Sequence, residues 1–172
     1  MSARLNPFAS PTAGAFLKHL VPAAMTLKES SLPRSTQELV ALRISQINGC
    51  GFCVDMHTKD AAAAGESAVR LNLVAAWREA TVFTEAERAA LALAEEGTRL
   101  ADRAGGVSDD VWNEAAKHYD EEQLMALVLL VATMNFFNRV NVISRRPAGD
   151  YVPGQYEVGP AHLGKPGTAE MS

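Results

Sequence analysis

The sequence predicts an all-α fold of about six to seven helices with no β-sheet. Alanine is the commonest residue, aromatic residues make up only 6% of the 172-residue chain, and no segment alternates steadily between apolar and polar residues. Alanine favours helices, whereas strands are enriched in aromatic and β-branched residues. A chain of this length is expected to form one domain with a core that needs no disulfide staples.

The first four helices are predicted from caps, stops and apolar spacing. Ser10 suits the cap of a first helix that starts near Pro11, because proline is tolerated in the first helical turn. A second helix follows Pro33 and runs to about residue 48, where a glycine stops it. A third is expected over 50–65 and a fourth over roughly 67–80.

Three more helices are predicted in the second half of the chain. Thr84 opens the fifth helix with a capping-box pattern, and this helix is expected to extend through Leu100. Ser108, followed by two aspartates, starts a short sixth helix, because acidic residues suit a helix N-terminus. Asp120 starts a seventh, which runs to about Arg146 before a proline stops it.

The predicted domain organisation is a helical domain over 1–146 and a C-terminal tail over 147–172. The tail is rich in glycine and proline, a composition that buries little apolar surface. It is therefore expected to be a flexible or partner-embracing extension outside the core.

Charge and targeting patterns argue against several partners. The chain carries 16 Lys+Arg and 20 Asp+Glu, so it has no basic field, and neither nucleic acid nor an anionic membrane is an expected partner. The N-terminus lacks the apolar region of a secretory signal. The longest apolar run, Leu124 to Met134, is shorter than the roughly 20 residues that a bilayer span needs. A cytoplasmic location is expected, where thiols stay reduced.

The two cysteines are the unusual feature of the sequence. Cys50 and Cys53 follow Gly49, and with His57 they are spaced i, i+3 and i+7, which places all three along one stripe of a helix. In the first helical turn, free amide N–H groups and the helix dipole favour the reactive thiolate. The pattern predicts a dithiol redox centre that can close to a disulfide with a small local adjustment.

Other interpretations of the cysteine pair are weaker. A structural staple across so short a loop would contribute only about 2 kcal/mol. Covalent haem attachment needs a histidine directly after the second cysteine, where Val54 stands. Zinc could take Cys50, Cys53 and His57 with Glu38 as a fourth ligand, although the chain has no second ligand pair at zinc-site spacing. A thioredoxin-like fold would need βαβ patterning, and none is visible.

Glu38 allows two interpretations. The stretch from Ser35 to Glu38 fits a capping box, in which the carboxylate would only bind a backbone N–H group. Alternatively, Glu38 is a catalytic base. His57 lies one turn after Cys53, placed to accept or relay its proton. No role is assigned to the remaining histidines, His19, His118 and His162.

Polar residues also interrupt the apolar seventh helix. Asn135, Asn138 and Arg139 share one face, which favours a satisfied hydrogen-bond network or a subunit contact over a substrate site. Several aromatic side chains are expected in the core or an interface: Trp77, Phe83, Trp112, Phe136 and Phe137.

The sequence contains a specific combination of four residues: Glu38, Cys50 twelve residues later, and then Cys53 and His57. It sits within matching stretches such as Leu-Arg-Ile-Ser-Gln-Ile-Asn-Gly-Cys and Asn-Phe-Phe-Asn-Arg. On these residues, the sequence from about 32 to 142 resembles the AhpD-like alkylhydroperoxidases of the carboxymuconolactone decarboxylase superfamily. The best-known members carry a histidine between the cysteines, where this chain has Phe52.

This resemblance implies an all-α fold, assembly into trimers or hexamers, and antioxidant reduction of organic hydroperoxides through the dithiol. Cys53 would be the peroxidatic nucleophile, Cys50 the resolving thiol, and Glu38 with His57 the proton relay. No bound cofactor or metal is implied, but a thiol or lipoyl-type electron-donor protein is. The alternative is an enzyme of the decarboxylase type without peroxidase activity, although that chemistry does not need the cysteine pair.

The identity of the nucleophile depends on two opposing arguments. Position alone favours Cys50, which lies nearer the helix terminus. The resemblance and a base at i+4, His57, favour Cys53, and we follow this second assignment.

Overall fold

The computed structural model describes residues 2–6, 9–102 and 104–156, and within them it contains seven α-helices and no strand. The helices are α1 (Pro11–Lys28), α2 (Arg34–Ile47), α3 (Gly51–Ala63), α4 (Ala68–Leu73), α5 (Glu85–Thr98), α6 (Asp109–Ala116) and α7 (Glu121–Ser144). The predicted all-α fold class is confirmed.

Side-chain caps begin the helices at most of the predicted positions. In each case an oxygen of the cap accepts a hydrogen bond from a backbone N–H of the first turn, which satisfies one of the free donors there. These caps are Ser10, Ser108 and, in complete capping boxes, Thr84 with Glu87 and Asp120 with Gln123.

Two helices are shorter than predicted. α4 ends at Leu73 and continues only as a 3₁₀ turn over Val74–Ala76. The guanidinium of Arg88 donates hydrogen bonds to three carbonyl oxygens between residues 77 and 80, so a side chain takes the place of helical N–H partners there. α5 ends at Thr98, and Leu100 lies in a separate 3₁₀ turn, where it is exposed and gains no core contact.

α2 is the central helix of the bundle and packs against α3, α5 and α7. One side of it carries Val40 and Ile44 into a core shared with α5, α6 and α7. The opposite side carries Leu39 and Leu42 into a second core with α3, α4 and α5, which also holds Trp77 and Phe83. Because both sides are buried, α2 fixes the position of the cysteine segment that follows it. Trp112 is exposed.

α7 is long and apolar enough, by length and composition, to cross a membrane. In the described structure it packs against α2 and α5, and 39% of its most apolar stretch is buried. Its polar residues are paired: Asn48 donates hydrogen bonds to the Oδ1 atoms of Asn135 and Asn138, and Asn138 donates to Ser45. Arg139 donates to Asn135. The predicted hydrogen-bond network is therefore confirmed.

Residues 147–156, which we call the C-terminal strap, pack on α3. Tyr151 is buried, and its hydroxyl donates a hydrogen bond to the carboxylate of Asp60. The backbone of Gly149 binds two side chains of α3: its N–H donates to Asp55, and its carbonyl oxygen accepts from Lys59.

The expectation of a tail outside the core is therefore wrong for residues 147–156. The physical reason is that α3 offers charged partners for the strap backbone and an apolar surface for Tyr151. Residues 157–172 lie outside the described residues, and the domain boundary after residue 146 stays a prediction.

Candidate active site

The two cysteines lie where α2 ends and α3 begins. Gly49 has φ +67°, a left-handed conformation that glycine adopts without strain, and it turns the chain between the two helices. Cys50 is the N-cap of α3, and its Sγ accepts a hydrogen bond from the backbone N–H of Cys53 at 3.3 Å. The two sulfur atoms form a disulfide, with Cα atoms 5.3 Å apart. The predicted dithiol is therefore in place, with both side chains only 1% exposed.

Asn141, on α7, is a site residue that the sequence analysis missed. Its Nδ2 donates a hydrogen bond to Cys53 Sγ at 3.3 Å, and the contact is buried. A donor held against sulfur stabilises negative charge there, so the same amide is placed to favour a thiolate on Cys53. The available signal was the spacing of Asn135, Asn138 and Asn141, which extends the polar face of α7 by one further step of three.

Substituting Asn141 by leucine should slow the reaction of the reduced Cys53 thiol. In a Cys50→Ser background, we expect alkylation by iodoacetamide at pH 7 to slow about tenfold, because a hydrogen bond to a charged group is worth about 1.5–3 kcal/mol. Asn135→Leu is the matched control, since it removes an amide from the same helix that contacts neither sulfur. Equal alkylation rates in the two variants would contradict a role for Asn141 at Cys53.

Glu38 and His57 form a direct pair between α2 and α3. His57 Nδ1 lies 2.9 Å from Glu38 Oε2, and Arg34 Nη2 lies 3.1 Å from Glu38 Oε1. The capping interpretation of Glu38 is wrong, because α2 begins at Arg34 after Pro33, which has no side-chain cap. Glu38 thus lies in the second turn, where its carboxylate faces α3 instead of the helix start.

The charge of Glu38 follows from its neighbours. Burial alone would raise the pKa of the Glu38 carboxyl, but the hydrogen bond from His57 and the positive charges of His57, Arg34 and Lys28 hold this pKa below its usual value of 4.5. The carboxylate is therefore ionised at neutral pH and fixes the Nδ1 proton of His57.

The other nitrogen of His57 is available for proton transfer. His57 Nε2 is buried and has no hydrogen-bond partner among the described residues. In the form of the ring that carries its proton on Nδ1 alone, Nε2 is the nitrogen that accepts a proton. It makes no hydrogen bond to either sulfur, so the structure forms two pairs, Glu38 with His57 and Cys50 with Cys53, without joining them directly.

The four predicted residues do not form a metal site. Within the described part of the chain, no group of three or more histidine, cysteine or acidic side chains is arranged to hold a metal ion. The geometric reason is that Glu38 and His57 bind each other and the two sulfurs bind each other.

Two openings are lined by residues of the site. A cleft of about 490 Å³ is lined by Cys50, Phe52 and Asn141, together with Arg145 and Arg146 after α7. A smaller opening of about 290 Å³ is lined by Arg34, Glu38 and the strap residues Pro153 and Gly154. The two cysteines and the Glu38–His57 pair therefore do not share one opening, because Glu38 lines the smaller opening and Cys50 lines the larger cleft.

Comparison with known proteins identifies a family and a relative with similar sequences. The sequence profile described as "Carboxymuconolactone decarboxylase family" matches residues 11–96. The uncharacterized protein YdfG of Bacillus subtilis is 42% identical over 115 residues, which are 67% of this chain and 77% of that protein.

Solved structures agree with the fold. A protein of unknown function from Agrobacterium tumefaciens, described as a candidate antioxidant defence protein AhpD, superposes with a TM-score of 0.80 at 33% identity, covering 87% of this chain and 100% of that chain. The debrominase Bmp8 superposes with a TM-score of 0.66 at 21% identity, covering 80% of this chain and 75% of that chain, which shows a shared fold alone.

The fold and the site define an all-helical protein with a dithiol at the N-terminus of one helix and a Glu–His pair on the central helix and its neighbour. The chain belongs to the carboxymuconolactone decarboxylase family, and within that superfamily it is AhpD-like.

Proposed function

We propose that this protein is an antioxidant dithiol peroxidase that reduces organic hydroperoxides. Members of its superfamily are typically enzymes. The observation that carries the proposal is the pairing of His57 with an ionised Glu38, which leaves a buried, unpartnered Nε2 one turn along α3 from Cys53. A thiol nucleophile needs a nearby base, and this arrangement supplies one.

In the oxidative half of the cycle, the Cys53 thiolate attacks one oxygen of the hydroperoxide. The O–O bond breaks, Cys53 becomes a sulfenic acid, and the alkoxide takes up a proton that His57 relays, directly or through a water. The Cys50 thiol then attacks the Cys53 sulfur, forming the disulfide and releasing water. The peroxide is thereby reduced by two electrons and the dithiol is oxidised by two.

The cycle requires an external thiol or lipoyl-type donor, and this partner is part of the proposal. We also propose that the protein is a cytoplasmic homo-oligomer, a trimer or a hexamer. In support, α7 exposes a row of large apolar side chains whose burial between subunits would be favourable: Met125, Val128, Leu129, Val142 and Ile143.

The test is peroxide consumption with an excess of a small dithiol as donor. The wild-type protein is expected to turn over cumene hydroperoxide, and Cys50→Ser and Cys53→Ser are each expected to lose turnover, because the cycle passes through the disulfide. Undiminished turnover in both variants would refute the mechanism. One zinc ion per chain with unreactive thiols would favour the zinc-stabilised alternative, and reactive thiols without peroxide turnover would favour a family member of another activity.

A further inference from the structure

We propose that the C-terminal strap is a lid over the dithiol: it leaves α3 before a reactant touches either sulfur, and the contact between Tyr151 and Asp60 is its latch. The inference concerns access to the sulfur atoms, so it goes beyond the proposed peroxidase activity and does not depend on it. Three features of the structure support it: how deeply the sulfurs are buried, where the strap lies, and how the strap is held.

Both cysteines are closed to reactants while the strap is in place. Cys50 and Cys53 are each 1% exposed, although Cys50 lines the larger cleft. Reaction at a sulfur requires the attacking atom to reach it, so these sulfurs must first be uncovered. The two cysteines share a small buried cluster with Phe52 and Tyr151. Tyr151 belongs to the strap, which makes the strap part of the cover over the dithiol.

The strap borders both openings of the site. Its first two residues line the larger cleft together with Cys50, whereas Pro153 and Gly154 line the smaller opening together with Glu38. A single segment thus lies beside the dithiol at one end and beside the proposed base pair at the other. Its displacement from α3 would widen both openings at once.

The strap is held on α3 by hydrogen bonds and one buried side chain. Tyr151 is its only buried residue, Gly154 is partly buried, and the other eight residues are exposed. The strap contains no helix or strand of its own. Segments with few buried apolar contacts and exposed hydrogen bonds open at a lower free energy than the whole protein unfolds. The strap is therefore expected to open while the helices stay folded.

The latch joins the buried side chain of the strap to α3. The Tyr151 hydroxyl lies 2.8 and 2.9 Å from the two carboxylate oxygens of Asp60, and the N–H of Gly154 donates to the same carboxylate at 3.0 Å. Hydrogen bonds to an ionised acceptor are stronger than those between neutral groups. Removing the Tyr151 hydroxyl therefore weakens the closed position, while the ring stays available to the cysteine cluster.

The test measures alkylation of a single thiol by N-ethylmaleimide. In a reduced Cys50→Ser background, Cys53 is the one remaining cysteine, and serine is a favourable residue at the N-cap of α3. Tyr151→Phe is expected to speed the reaction about tenfold, because loss of a hydrogen bond to a charged group raises the open population by about that factor. Tyr151→Ala, which also removes the ring, should react faster still. An unchanged rate in either variant would overturn the proposal.

Tyr119→Phe is the matched control. Tyr119 is 5% exposed, as Tyr151 is, and its hydroxyl donates a hydrogen bond to the carbonyl oxygen of Ala86. It belongs to the core shared by α2, α5, α6 and α7, apart from the cysteine cluster. This variant is expected to lose some stability and to leave the alkylation rate unchanged. An equal acceleration in Tyr119→Phe would mean that the thiol reacts through global unfolding, which contradicts a local lid.

The pH profile of alkylation separates access from reactivity. Opening of a lid multiplies the rate by the same factor at every pH, whereas altered surroundings of the sulfur change the thiol pKa that the profile reports. In Tyr151→Phe the profile is expected to keep its midpoint and rise in height. A shifted midpoint that accounts for the whole acceleration would refute the lid.

Amide hydrogen exchange observes the strap itself. The N–H groups of Gly149 and Gly154 bind Asp55 and Asp60, and Tyr151→Phe leaves both acceptors in place. Their exchange is expected to become about tenfold faster in this variant, while exchange in α2 stays unchanged. Unchanged exchange at both glycines would contradict opening of the strap. Because none of these measurements includes peroxide, their outcome is independent of whether the protein proves to be a peroxidase.

Discussion

Cys53→Ser is expected to lose the first reaction with peroxide, whereas Cys50→Ser is expected to keep it for a single turnover. Cys53 has His57 one turn away on α3 and receives a hydrogen bond from Asn141, so in the proposed mechanism Asn141 would stabilise its thiolate and His57 would accept its proton. A serine hydroxyl at residue 53 would stay protonated at neutral pH. We expect Cys53→Ser to react with peroxide more slowly than wild type by a factor on the order of a thousand or more.

The measurement is a stoichiometric reaction of the reduced protein with peroxide in the absence of a donor. Cys50→Ser should consume about one equivalent and form a sulfenic acid at Cys53, detected by dimedone labelling and mass spectrometry. The contrary result is specific: if Cys53→Ser reacts and Cys50→Ser does not, the nucleophile is Cys50. The helix N-terminus would then outweigh the base at i+4.

Glu38→Gln is expected to slow the peroxide reaction by about a hundredfold at pH 7, within the usual range for removal of general acid–base assistance. The amide cannot carry the negative charge that holds the Nδ1 proton of His57, so the imidazole loses its orientation and its electrostatic support. His57→Asn should have an effect of similar size. The rates are measured by stopped-flow fluorescence under single-turnover conditions.

The pH dependence of stability gives this prediction a second readout. The pKa of Glu38 is lowered in the folded protein, so its contribution to the free energy of unfolding is present above pH 4.5 and is lost as the pH falls through the folded value. Denaturation of wild type and Glu38→Gln should therefore differ most at neutral pH and converge in acid. A constant difference across this range would contradict an ionised Glu38.

Glu87→Gln is the matched control for Glu38→Gln. Both carboxylates belong to residues that are 8% exposed, and Glu87 pairs with Arg70, away from the cysteines. This variant is expected to lose some stability, because it removes one of the two carboxylates that pair with the partly buried Arg70. Its single-turnover rate with peroxide should equal that of wild type, and a matching hundredfold loss would mean that stability alone explains the effect at Glu38.

The helices of this protein were predictable because their signals are local. The caps Ser10, Thr84, Ser108 and Asp120 act on N–H groups only three residues away, so the sequence contains the whole interaction. The signal of the cysteine motif is also local. The i, i+3 and i+7 spacing of Cys50, Cys53 and His57 places these residues within the first turns of one helix, α3. The exceptions, the shortened ends of α4 and α5, depend on Arg88 and on the absence of core contact at Leu100.

By itself, the sequence determined the all-α fold class, the position of the dithiol at the start of α3, and the pairing of Cys50 with Cys53. Only the tertiary structure decided that Glu38 binds His57 instead of capping α2, that Asn141 contacts Cys53, and that the strap folds back on α3. The last two contacts join residues 88 and 94 positions apart. No local pattern encodes them, because they form only when α2, α3 and α7 bury their apolar faces together.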